Sequence, residues 1–150
     1  MRRIIFGLLL FVTIFAQATI LPIINPLAVT PDLVLVLLFT RCAFCGPREA
    51  LLWIFISGSI LDILSLDALG TNALALVCIA ILAALARQRI FQSNVVVPIV
   101  LVVIATLIHG FVLYTLRGAS LSLILLYQAM FNAVFVPIVY LFVRRMAREY

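Results

Sequence analysis

Residues 95–116 read VVVPIVLVVIATLIHGFVLYTL, and residues 121–143 read LSLILLYQAMFNAVFVPIVYLFV. Neither stretch contains Lys, Arg, Asp or Glu. At about 1.5 Å per helical residue, each is long enough to cross a hydrocarbon layer about 30 Å thick. Residues 4–24 form a third uncharged run of similar length. Three shorter apolar runs lie between, at 32–44, 50–64 and 73–86. Their lengths and their Leu, Ile and Ala content predict helices. The alternating segments of about ten residues that build a membrane β-barrel are absent.

Composition supports the same reading. The chain is 67% hydrophobic and 10% charged, against roughly 45–50% and about 25% in a soluble domain. So little polar surface cannot coat a water-soluble globule of this size. The expected architecture is an all-α integral membrane protein, one transmembrane domain over residues 1–150, folded as a bundle of six helices.

The formal charge is +5, and all ten basic residues are Arg. They form no continuous patch, which argues against nucleic acid as a partner. They fall between the apolar runs instead, and this sets a topology. Six spans with the N-terminus in the cytoplasm place Arg2, Arg3, Arg41, Arg48, Arg87, Arg89, Arg144, Arg145 and Arg148 inside, leaving Arg117 outside. An odd number of spans destroys this asymmetry. Arg2-Arg3, the apolar run and Ala16-Gln17-Ala18 also fit a cleavable signal peptide. The run continues through Ile20-Leu21-Pro22-Ile23-Ile24, which favours a retained helix.

The breaks between helices have mechanisms. Asn25-Pro26 ends the first helix, and Thr30-Pro31-Asp32 starts the second. Gly46-Pro47 separates the second from the third. Gly70-Thr71-Asn72 supplies a turn and an N-cap for the fourth. Arg117-Gly118 divides the last two.

Polar groups inside a bilayer are costly, so each needs a reason. Thr13, Gln17, Asp62, His109, Gln128 and Asn132 lie within the apolar runs, while Asp32 and Asp67 fall near the outer boundary. Counting residues from the cytoplasmic ends predicts an intramembrane polar cluster of Gln17, Asp62, His109 and Gln128 in the outer half. Asp62 and His109 are the expected partners within it.

Gly58, Asp62 and Ser65 share one helix face. Asp62 can therefore accept hydrogen bonds from free amides near Gly70–Asn72 and lock a hairpin. A proton or ion site is the sharper alternative, disfavoured because no second buried carboxylate accompanies it. For His109 an interhelical hydrogen bond outweighs a ligand role. Thr106 and Gly110 form a small surface for close helix approach. Gln128 and Asn132 are four residues apart, and such amides bridge helices within a chain or to a partner helix. Pro137 is expected to kink the last helix.

No catalytic or cofactor motif appears. Cys42 and Cys45 make a lone C-x-x-C, short of the four ligands a zinc site needs. With Cys78 the cysteine count is odd and gives no disulfide framework. Asp62 and Asp67 come from one hairpin, so they do not form a converging aspartyl peptidase pair. No catalytic residue, metal site or cofactor is expected.

The order of four short motifs carries a resemblance. Pro31-Asp32 leads into Leu33-Val34-Leu35-Val36-Leu37-Leu38, followed by Gly46-Pro47-Arg48, then Gly58-Ser59-Ile60-Leu61-Asp62, then Leu69-Gly70-Thr71-Asn72-Ala73. This resembles the MreD family of rod shape-determining membrane proteins over nearly the whole chain. The resemblance implies a non-enzymatic subunit of the cell-elongation machinery in the bacterial cytoplasmic membrane. It implies MreC as partner, with RodA and its penicillin-binding partner beyond it and cytoplasmic MreB reached indirectly. It further implies a fold like that of the substrate-binding S components of energy-coupling-factor transporters. Pro31, Asp32, Gly58, Asp62, Gly70 and Asn72 are then structural and helix-orienting. Three functions compete: a scaffold for partner helices, a vitamin-capturing S component, and an intramembrane enzyme. The scaffold is favoured, because the outer half offers few polar or aromatic groups for a ligand and no activated nucleophile.

Overall fold

A computed structural model describes residues 2–24, 31–45, 47–90, 96–118 and 123–148. The elements are α1 (Arg2–Phe15), a π-helical turn π1 (Ala16–Ile20), α2 (Leu21–Ile24), α3 (Leu33–Cys45), α4 (Pro47–Ser65), α5 (Thr71–Ile90), α6 (Val96–Arg117) and α7 (Ile124–Arg148). Among the described residues there is no strand. The expected breaks at Asn25-Pro26, Thr30 and Gly46 lie outside the described residues.

The shortest of the long helices is the central one. α3 packs against α1, α4, α5, α6 and α7, while α4–α5, α5–α6 and α6–α7 pair around it. Every residue from Val34 to Ala43 is buried. The sequence explains this placement: LVLVLLF has no polar face, and a helix that is apolar all round belongs inside. The outer helices show the opposite of a soluble fold. Leu8, Phe55, Leu74, Ile81, Val96, Met130, Val134 and Leu141 are all exposed, a surface suited to an apolar solvent.

Two helices among the described residues are long and apolar enough to cross a membrane on their own, Val96–Arg117 and Ile124–Val143. The other apolar stretches, Ile4–Ile20, Leu33–Phe44, Ala50–Ser65 and Thr71–Leu85, are shorter. α4 and α5 extend beyond the expected 50–64 and 73–86, reaching 19 and 20 residues. Those are lengths of about 28 and 30 Å. α3 stays at 13 residues, or about 20 Å. The first helix is interrupted by π1, which the apolar run does not announce. Pro137 lies inside a continuous α7. Arg41, grouped by sequence with the cytoplasmic arginines, is buried on α3, its guanidinium 4.7 Å from the Phe6 ring centre.

Close approach sets the hairpins. A Cβ on Gly58 would lie 2.5 Å from Ala73 Cα and 2.7 Å from Ala73 N. Only glycine lets α4 sit that near the backbone of α5. Leu125 occupies the equivalent space beside Gly110 on α6. Gly58→Val is expected to cost about 1–3 kcal/mol by overpacking, read as a lower thermal midpoint in detergent. Leu52→Val, on the exposed face of α4, should leave the midpoint nearly unchanged. Equal midpoints would contradict the close approach.

Candidate functional site

α3 begins inside the bundle, so its first-turn amides must find partners there. Asp32 is the N-cap. Its Oδ1 accepts the Leu35 N–H at 3.1 Å, and its own carbonyl accepts the Val36 N–H at 3.2 Å. Gln17, on π1, completes the cap with both ends of its amide. Its Oε1 accepts the Val34 N–H at 3.1 Å, and its Nε2 donates to Asp32 Oδ1 at 3.1 Å. The Asp32 N–H donates to Asn132 Oδ1 at 2.7 Å. Asn132 Nδ2 donates to the Thr106 hydroxyl at 2.9 Å, which donates to the Val102 carbonyl at 2.8 Å. His109 Nδ1 stands 3.3 Å from Asp32 Oδ2. One continuous network thus joins π1, α3, α6 and α7. Pro31, also buried, leads into it.

A second cap lies nearby. Gly70 opens α5 with φ +100°, a left-handed conformation that glycine adopts without strain. It has no side chain to cap the helix, and Asp62 of α4 takes that role. Asp62 Oδ2 accepts the Gly70 N–H at 2.7 Å, and Oδ1 accepts the Asn72 N–H and the Asn72 Nδ2 at 2.8 Å each. Asp62 is fully buried. Its charge sits at the positive end of α5, where a helix stabilises an anion. Asn72 also reaches Asp67 at 3.4 Å, and Asp67 pairs with Arg117 at the end of α6.

Between the two caps lies a cavity of about 460 Å³. Gln17, Asp32, Asn72, His109, Tyr114, Arg117 and Gln128 contribute its polar wall, and Leu61, Leu64 and Leu113 its apolar wall. No group of three or more His, Cys, Asp or Glu among the described residues is placed to hold a metal.

A family model described as the rod shape-determining protein MreD matches residues 1–146. The chain belongs to the MreD family. No curated protein and no solved structure matches it.

For this MreD-family chain, the network differs from the sequence expectation in four respects. Gln17, His109 and Gln128 do converge on one cavity, but the carboxylate facing His109 is that of Asp32, not Asp62. Counting residues from helix ends set Asp32 apart from the cluster, whereas it is 5% exposed and central to the network. Asn132, a candidate for partner-helix contact, is fully buried with both amide ends used within the chain. Gln128, one turn away, is half-buried in the cavity wall. Thr106, read only as a small packing residue, is a member of the network. Its signal was present, since Thr106 and His109 lie one turn apart on one face of α6.

Asn132→Leu removes the acceptor of a buried backbone amide, which costs about 1–3 kcal/mol. Its unfolding midpoint in detergent should therefore fall well below that of Gln128→Leu, which breaks no hydrogen bond among the described residues. Equal midpoints would contradict an inward-facing Asn132.

Proposed function

We propose that this chain is a non-enzymatic scaffold subunit of the bacterial rod complex. It spans the cytoplasmic membrane six times as one transmembrane domain, with both termini in the cytoplasm. It binds MreC through its lipid-facing helices. Through MreC it supports the peptidoglycan synthase RodA and its penicillin-binding partner, and it connects indirectly to MreB. The observation that carries this reading is the match to the MreD family along residues 1–146. Membership supports a cell shape-determining role and association with the rod complex.

The structure agrees with a scaffold on physical grounds. An intramembrane enzyme needs acids or a nucleophile converging on a reacting atom. Asp32 and Asp62 are instead each committed to a different helix N-terminus. The short helices suit a membrane because α3 lies against protein on all sides and the lipid contacts longer neighbours. The nine-to-one arginine split accounts for the orientation.

One observation favours a second reading. The cavity beside Asp32 and His109 has a volume that suits a small ligand, which a substrate-binding S component would need. Purification in mild detergent followed by mass spectrometry separates the two. The scaffold reading expects MreC and the wall synthases to co-purify, and depletion of the chain to turn rod-shaped cells round. Recovery of nucleotide-hydrolysing transporter subunits in their place would overturn it.

A further inference from the structure

The scaffold role leaves the cavity at the start of α3 without a task. At about 460 Å³ it falls within the range of roughly 300–1,000 Å³ typical of small-molecule sites. Its wall carries polar capacity that the fold does not use. Tyr114 and Gln128 line it, and neither makes a hydrogen bond within the described residues. Asp32 Oδ1 already takes two donors, whereas among the described residues Oδ2 faces only His109. His109 is 6% exposed, and its Nε2 has no partner among the described residues.

Charge decides the ligand class. Two charged groups line the cavity, Asp32 and Arg117. Arg117 is matched by Asp67. Asp32 is matched by the first-turn amides of α3, the Gln17 amide and His109. A cation would face Arg117 and the positive end of α3, and an anion would face Asp32. An uncharged ligand meets neither penalty. Its hydroxyl or amide groups suit Gln128, Tyr114 and the Asp32 carboxylate, while Leu61, Leu64 and Leu113 suit its C–H faces.

We propose that this cavity is a binding site for an uncharged, hydroxyl- or amide-rich group, carried by a free solute or by the headgroup of an amphiphile. The proposal stands apart from the scaffold reading, since a docking subunit with an empty cavity would co-purify the same partners.

The test uses the full chain in phosphatidylcholine nanodiscs, read by native mass spectrometry. The probes are monoglucosyl diacylglycerol, free methyl glucoside and anionic phosphatidylglycerol. One glucosyl probe should bind at a single site, with phosphatidylglycerol failing to compete. Binding of the glucolipid alone identifies a headgroup site, and binding of methyl glucoside as well identifies a solute site. Gln128→Leu and Tyr114→Phe should each weaken binding about tenfold. Neither residue makes a hydrogen bond among the described residues, and unchanged unfolding midpoints verify the fold. Absence of binding by both glucosyl probes, displacement by phosphatidylglycerol, or affinity indifferent to both substitutions would each overturn the proposal.

Discussion

A helix that begins buried inside a bundle must satisfy its first amides from within the protein, and the N-terminus of α3 is held under that constraint. Asp32, Gln17 and Asn132 meet it from three directions. Each comes from a different part of the chain, so capping one helix also fixes the positions of π1 and α7 against it. Thr106 and His109 bring α6 into the same network. Nonspecific apolar packing alone could not do this, because lipid tails compete equally well for the faces of these helices. The polar network supplies the specificity, and the all-apolar body of α3 fills the space around which the other helices stand.

The same solution is used again at α5. Gly70 turns the chain but cannot cap, and Asp62 caps from the preceding helix. Two carboxylates, Asp32 and Asp62, are each buried at a helix N-terminus. This weighs against catalysis, because a group that accepts two or three hydrogen bonds in the ground state is poorly placed to move protons.

Much of this was legible in the sequence. The uncharged runs at 95–116 and 121–143 specify helices by length and composition. The Gly58, Asp62 and Ser65 spacing, followed by Gly70-Thr71-Asn72, puts Asp62 within reach of the next helix. The role of Asp32 was not legible, because its partners depend on where α3 starts relative to its neighbours and not on its distance from a loop. His109 was paired with the wrong aspartate for the same reason, since helix neighbours cannot be read from one chain. The π turn at Ala16–Ile20 left no sequence signal either, although it carries the Gln17 that completes the cap. The short second run looked too short to span, and burial against protein on every side removes that difficulty.

The central claim is that the first turn of α3 is capped inside the protein. Residue-resolved amide hydrogen exchange in lipid nanodiscs tests it most directly. The account predicts that the Val34 and Leu35 amides exchange as slowly as those of the α3 interior, and that Asn132→Leu accelerates the Asp32 amide. Exchange of Val34 and Leu35 at the rate of a frayed, water-exposed helix end would contradict it.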